Sequence, residues 1–378
     1  MKKIKLGFVG GGKDSLIGIL HKVASQMYDK YDLVSGVFST DKKTNIDTAK
    51  TLGLDLSRVY ESYEDMIKAE LKLDVDERIK AVSILTPNFL HYPIAKKFLE
   101  NGFNIICEKP LTITLKEALE LKKIKDSHSL VFGVTHTYTG YPMVRQMCQM
   151  IEDKVIGNIQ RVDSTYFQGW INDIIHDKDK RKSTWRLNPK ISGISSCLAD
   201  IGTHAFNMLE LVCGMKVKKI LADLNHLYED NPLDIDVSVL IRMENGAKGT
   251  IRSSQIATGI ENNLNIAVHG SLGSLIWEQE NPNYLYYYTN DKPLQVLKPG
   301  HPYNSEISLD GTKLPAGHPE GIFDAMGNIY NGIARQINGE ELKKREYPTI
   351  DEGVRGMEFI ETAVRSNNEG NIWLELHS

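Results

Sequence analysis

The first 134 residues alternate between short apolar runs and segments of helical spacing, and few chain arrangements accommodate that alternation. Ile4, Leu6, Phe8 and Val9 form a buried-type run, Gly10-Gly11-Gly12 interrupts it, and Leu16, Ile17, Leu20, Val23 and Ala24 then recur at helical intervals. The pattern continues with a strand at 33–38, a helix end at 48–54, a strand at 81–85, a helix at 93–100, a strand at 104–107 and a short strand at 130–134. Strands separated by helices at this pitch predict an α/β domain whose parallel sheet is joined by right-handed crossovers.

Beyond Tyr141 the pattern changes. A helix at 144–151 precedes a strand at 159–167. A helix at 204–212 is followed by consecutive strands at 217–224, 236–243, 247–255 and 263–269, with 272–275 and 285–288 as extensions. Consecutive strands predict an α+β domain with a mainly antiparallel sheet. The Pro-, Gly- and Asn-rich stretch 282–319 reads as surface loops, and helices at 323–338 and 350–366 close the chain. The expected division is residues 1–140 and 141–378, with the helix 350–366 a candidate to pack back on the first domain. A length of 378 residues suits two domains.

Charge narrows the function. The net charge is −4 with no basic tract, which argues against nucleic acid and anionic membrane as partners. The start turns at once from apolar residues into glycine and Lys13-Asp14, unlike a cleavable signal. The longest charge-free stretch, 127–144, holds histidines, threonines and tyrosines and is no bilayer span. Four cysteines, at 107, 148, 197 and 213, show neither a disulfide framework nor zinc spacing. A reduced, cytoplasmic protein is expected.

Five constellations can carry chemistry. Gly10, Gly11 and Gly12 lie between a strand and a helix, where backbone amides can approach a pyrophosphate. The usual glycine pattern is imperfect: Ser15 stands at its third position, or Gly18 fills it after three inserted residues. At the end of the second strand Ser39 and Asp41, with Lys42 and Lys43, can meet an adenosine ribose. Asp41 favours NAD, while Ser39 with a lysine suits the 2′-phosphate of NADP. Thr86, Pro87 and Asn88, with His91, follow the third strand at the ligand-binding edge of a parallel sheet, and a helix start capped by Asn88 is the alternative. Glu108-Lys109-Pro110 follows an apolar strand, so Glu108 can hold an ammonium aimed at a substrate oxygen; a surface ion pair is the bland alternative. Finally, Asp200 and His204 stand four residues apart, which on an α-helix puts a proton acceptor and an orienting carboxylate on one face. No third metal ligand accompanies them.

In order and spacing, the glycine triplet, Thr86-Pro87-Asn88 with His91, Glu108-Lys109-Pro110 and Asp200-Ile201-Gly202-Thr203-His204 resemble the Gfo/Idh/MocA oxidoreductases. The resemblance spans nearly the whole chain. It implies an N-terminal Rossmann domain, a C-terminal domain with an open mixed sheet, a bound nicotinamide dinucleotide and sugar or polyol chemistry. The family's catalytic lysine falls on Lys109, and its aspartate and histidine on Asp200 and His204. Cofactor contacts fall on Gly10, Gly11, Gly12, Ser15, Leu16, Ser39, Asp41, Thr86, Pro87, Asn88, His91, Glu108, Lys109 and His136. The lengthened glycine loop departs from the family pattern at the pyrophosphate contacts. Segments similar to those of one subgroup place Tyr138, Gln168, Trp170, Trp185, Arg186 and His318 at the substrate, with Trp170 and Trp185 equally suited to a core.

The expected activity is hydride transfer between a secondary alcohol of a sugar, polyol or inositol-like substrate and NAD or NADP. An ammonium from the first half of the chain and an imidazole from the second are expected to meet beside the coenzyme. The alternatives are a glycoside-cleaving enzyme that works by transient oxidation and elimination, and a dinucleotide-binding sensor without turnover. The aromatic run from Tyr284 to Tyr288 suggests a patch for a homodimer or homotetramer.

Overall fold

In the computed structural model, which describes residues 3–342 and 346–377, the chain forms two compact units. The first comprises Met1–Thr112, Lys116–Thr137 and Phe323–Val354; the second comprises Ile113–Leu115, Tyr138–Ile322 and Arg355–Ser378. A single cut near residue 140 therefore needs correction, because residues 323–354 return to the first unit. The cause is the apolar face of the helix Ile322–Ile337, on which Ala325, Met326, Ile329, Tyr330 and Ile333 are buried. Tyr31 donates its hydroxyl hydrogen to the Tyr330 carbonyl at 3.0 Å, and the Val134 amide donates to the Pro348 carbonyl at 2.8 Å. The helix Ile350–Asn368 starts in the first unit and continues into the second.

The first unit holds β1 (Ile4–Gly10), α1 (Leu16–Gln26), β2 (Tyr31–Val37), α2 (Lys42–Thr51), α3 (Tyr63–Glu70), β3 (Ala81–Leu85), α4 (His91–Glu100), β4 (Asn104–Cys107), α5 (Leu115–His128) and β5 (Phe132–Val134). The strands form one sheet in the order β2-β1-β3-β4-β5, and every pair is parallel. All five residues of β3 are buried, as expected for a strand covered on both faces. Three helices start on side-chain caps that satisfy otherwise unpaired amides: Ser15 for α1, Asp41 for α2 and Ser62 for α3. The apolar stripe expected of α1 is corrected. Leu16 is 74% exposed, and the buried face runs through Gly18, Leu20, His21, Ala24 and Ser25.

The strand order reverses between β1 and β3. In an open parallel sheet, the crevice beyond the carboxyl ends of two such strands is where a ligand sits. Here those ends are in register, with Gly10 opposite Leu85, so the glycine loop and Thr86-Pro87-Asn88 leave the sheet side by side.

The second unit contains α6 (Pro142–Glu152), β6 (Ile159–Phe167), α7 (Thr203–Cys213), β7 (Val217–Asn225), β8 (Asp236–Met243), β9 (Lys248–Ser254), β10 (Asn263–Gly270), β11 (Ser274–Glu278), β12 (Leu285–Tyr288), β13 (Gln295–Leu297) and β14 (Leu374–Glu375). These nine strands form an open sheet in the order β13-β12-β11-β10-β6-β9-β8-β7-β14. Only the β6–β9 pair is parallel; its other neighbours are antiparallel. Helices α6 and α7 cover one face, and the strands alternate buried and exposed residues accordingly. The stretch 282–319 is more ordered than its composition suggests, since it contributes two strands and the short helix Glu306–Asp310.

Candidate active site

The glycine loop leaves β1 in a conformation that favours glycine. Gly10 has φ of 91° and Gly11 of 72°, and a Cβ on Gly10 would lie 2.6 Å from the Leu85 carbonyl oxygen. Gly18 packs α1 against the same loop: a Cβ there would stand 2.3 Å from the Gly11 carbonyl oxygen. Gly18 thus fills the third glycine role, with 13–15 as the insertion. Ser15 caps α1 by accepting from the Gly18 amide at 3.1 Å. Next to the loop, the Thr86 hydroxyl oxygen is buried without a hydrogen-bonding partner, a group that a bound ligand would satisfy. A side-chain-free cradle at a reversal of strand order, beside an unsatisfied hydroxyl, fits a dinucleotide.

At the end of β2, Asp41 accepts from the Thr44 amide at 2.8 Å and the Thr44 hydroxyl at 2.6 Å, while the Ser39 hydroxyl accepts from the Asp41 amide at 3.1 Å. The Thr44 hydroxyl and amide hold the Asp41 carboxyl below its usual range. Lys42 is engaged with Glu61 at 2.8 Å.

His91 requires a correction. It is fully buried, with Nδ1 2.8 Å from the Pro110 carbonyl and Nε2 2.8 Å from the Thr86 carbonyl. Both ring nitrogens face backbone oxygens, so His91 braces the β3 and β4 loops and has none left for a ribose hydroxyl. Burial lowers its pKa against the opposing pull of those carbonyls. Asn88 opens a short helical turn, Asn88–Leu90, and Pro87 precedes it without a side-chain cap.

Glu108 and Lys109 end β4 as expected. Burial alone would raise the Glu108 carboxyl, but the hydrogen bond of His21, together with Lys109 and the Thr135 hydroxyl, holds it below the ordinary carboxylate range. His136, buried and facing the Lys109 charge, is pushed down to about 3.

In the second unit, residues 198–202 form a π-helical turn that runs into α7. The expectation that Asp200 and His204 share one α-helical face is therefore corrected: Asp200 sits in the wider turn and His204 in the helix that follows. Such turns concentrate at functional sites. Asp234, buried, accepts from the Ser196 amide at 3.0 Å and the Leu198 amide at 2.8 Å, and so anchors the turn. The Asp200 Oδ2 accepts from Gln255 Nε2 at 2.9 Å, with Arg186 Nε 3.6 Å away.

The His204 ring meets two tyrosines, Tyr138 edge-on at 4.9 Å between centroids and Tyr166 at 6.0 Å. A closed circuit ties these together. Asn262 Nδ2 donates to the Tyr138 hydroxyl at 3.3 Å, Tyr138 donates to Tyr166 at 2.6 Å, and Tyr166 donates to Asn262 Oδ1 at 2.6 Å. Gln168 adds a 2.8 Å bond to Asn262 Oδ1 and accepts from Trp170 Nε1 at 3.0 Å. The Arg186 guanidinium lies over Trp170 and Trp185, at 5.2 and 4.5 Å from their ring centroids. Trp170 also packs on the small core of Ile171, Ile175, Leu187 and Ile235, as the core alternative considered for it expects. The structure thus gathers Tyr138, Gln168, Trp170, Trp185, Arg186, Asp200 and His204. His318 lies on an exposed turn, with Nδ1 3.0 Å from the Pro315 carbonyl, and no described contact joins it to them.

Sequence reasoning missed Tyr166, Asp234, Gln255 and Asn262. Tyr166 was legible, since it precedes Gln168 and Trp170 at the two-residue interval of a strand face.

Residues 4–136 match the family described as oxidoreductase, NAD-binding Rossmann fold, and residues 144–276 match the GFO/IDH/MocA C-terminal domain. The uncharacterised oxidoreductase YfiI of Bacillus subtilis is 36% identical, over 99% of this chain and 97% of its own length. The chain belongs to the Gfo/Idh/MocA oxidoreductases. As a member of that family it is a dehydrogenase, and its first unit carries the NAD-binding Rossmann domain. A crystal structure of an inositol dehydrogenase homologue from Azotobacter vinelandii, complexed with NADH and myo-inositol, aligns with a TM-score of 0.90 and 32% identity, covering 99% of this Gfo/Idh/MocA chain and 98% of the other. A levoglucosan dehydrogenase of Pseudarthrobacter phenanthrenivorans is 26% identical over 81% of this chain and 83% of its own. Among the described residues no helix is long and apolar enough to cross a membrane.

Proposed function

We propose that the protein reversibly oxidises a secondary alcohol on a carbohydrate-like ring, a sugar, polyol or inositol, with NAD as the hydride acceptor. The observation that carries this reading is the surround of His204: two tyrosine rings, a carboxylate in the preceding turn, and amide and hydroxyl groups suited to a polyhydroxylated ligand. A relative that holds NADH with myo-inositol supports the same substrate class.

Gly10, Gly11 and Gly12 would hold the pyrophosphate, Thr86, Pro87 and Asn88 would contact the dinucleotide beside them, and Asp41 would meet the ribose. The bound dinucleotide supplies the hydride-accepting nicotinamide. His204 takes the hydroxyl proton, Lys109 offsets the negative charge that develops on the substrate oxygen, and Asp200 orients the imidazole or substrate. Trp170 and Arg186 contact the ring and its hydroxyls. An ionised Asp41 repels a 2′-phosphate, which favours NAD over NADP. The four cysteines form no disulfide among the described residues, which suits a reducing, cytoplasmic setting, and the partly exposed Tyr284 and Tyr288 suit a homodimer or homotetramer.

The test is a screen of inositols, aldoses, anhydrosugars and glycosides with both coenzymes, read by absorbance of the reduced nicotinamide. Neutral polyols should reduce NAD, and both His204→Ala and Lys109→Ala should lower kcat by about 100-fold or more. Sugar release without net coenzyme reduction, or unchanged turnover in His204→Ala at every pH, would refute it.

A further inference from the structure

Behind Glu108 runs a line of buried polar side chains that the reaction described above does not use. Glu108 Oε1 accepts from the Thr135 hydroxyl at 2.5 Å and lies 2.8 Å from His21 Nε2. His21 Nδ1 lies 2.6 Å from the Tyr330 hydroxyl, which is 2.8 Å from the Ser83 hydroxyl. His21 and Ser83 are fully buried, and Tyr330 and Thr135 are 1% exposed. All of these residues belong to the first unit.

Donor accounting fixes the Glu108 end of the line. An ionised carboxylate only accepts, so Nε2 must carry a proton toward Glu108. The Tyr330 hydroxyl bridges His21 Nδ1 and the Ser83 hydroxyl, donating to one and accepting from the other. Burial raises the Tyr330 phenol, which keeps it a donor. A ring protonated on Nδ1 alone would turn a lone pair on the Glu108 anion.

We propose that His21 and Tyr330 are positioning residues for Lys109: they hold Glu108 as an oriented anion beside the lysine, and so set the charge environment in which that ammonium works. Three further titratable groups sense the Glu108 charge. Cys107, from β4, stays a thiol because burial and the Glu108 charge raise it. His91, from α4, and His136, after β5, are both lowered by burial. None of these three is a second anion. Because the inference rests on Lys109 acting in the dehydrogenase reaction, its test includes a readout independent of turnover.

The first measurement is ring 15N NMR of histidine-labelled full-length protein without coenzyme. His21 Nε2 should carry a proton, with a scalar or shift signature of its bond to Glu108; an Nε2 without a proton would overturn the proposal. The second is the pH profile of kcat/KM. In Tyr330→Phe the alkaline limb should move downward by about one pH unit, because an ammonium beside a less firmly held anion gives up its proton sooner; one hydrogen bond that supports a charged group has about that effect. His21→Gln, whose amide can donate to Glu108 and accept from Tyr330, should keep the wild-type limb, whereas His21→Leu should lose it. Should Tyr330→Phe fold poorly, the His21 pair carries the test. Equal limbs in His21→Gln and His21→Leu would show the line to be packing only. If His21 Nε2 carries the expected proton yet Lys109→Ala turns over normally, both the role assigned to Lys109 and this proposal fail, while the hydrogen-bonded line itself stands.

Discussion

Gln255 donates a 2.9 Å hydrogen bond to Asp200 Oδ2, from the loop after β9 to the π-helical turn before α7. That bond fixes the carboxylate nearest in sequence to His204. Gln255→Leu keeps the size of the side chain and removes the donor, so kcat should fall about tenfold, the cost of one hydrogen bond to a charged group. Steady-state kinetics on the best substrate checks this, and an unchanged kcat would free Asp200 of dependence on Gln255.

Arg186 is held by shape as much as by charge. Its planar guanidinium lies over two indoles and approaches Asp200 at 3.6 Å. A lysine keeps the charge but cannot stack as a plane. Arg186→Lys should therefore raise KM nearly as much as Arg186→Ala, by about tenfold. Full recovery in the lysine variant would mean that charge alone matters.

Gly18→Ala places a methyl group against the Gly11 backbone, which cannot move aside as a side chain can. The expected cost is about 1–3 kcal/mol of stability, together with weaker NAD binding as the loop shifts. Thermal unfolding and a coenzyme titration by intrinsic fluorescence measure both. Wild-type affinity in a stably folded Gly18→Ala protein would separate this contact from the cofactor site.

His136 and His91 make stability depend on pH. Both have folded-state pKa values below the usual 6.5, His136 at about 3. Below about pH 6.5 the unfolded chain binds more protons, so their contribution is complete above that pH and is lost as pH falls, for His136 down to about 3. The slope is up to about 1.4 kcal/mol per pH unit for each. Urea unfolding at about pH 7.5 and pH 5 should show lower stability at the acid value, and His136→Gln should reduce the difference. A stability independent of pH in that window contradicts the burial of both rings.

Much of the fold is legible because apolar runs end at breakers. The limits of Ala81–Leu85, Asn104–Cys107, Ile159–Phe167, Asp236–Met243 and Leu285–Tyr288 coincide with the sequence reading. Helix α5 went unread because only Ala118 and Leu121 are buried along it, too few to mark a periodic face. At the site, motif residues such as Lys109, Asp200 and His204 stand out by local context. Their supports do not: Tyr330 is 309 positions from His21, and Asn262 is 96 from Tyr166. Those partnerships are made by tertiary folding, and His21 reads locally as a stray imidazole on an apolar helix.

The helix Ile322–Ile337 supplies Tyr330 to a unit whose sheet is complete by residue 134. During synthesis, all five parallel strands leave the ribosome long before the segment that covers them, and His21 has no phenol to meet until the intervening polypeptide has been made. A nascent chain stopped near residue 140 should therefore be a poor, aggregation-prone folder, even though its sheet is whole.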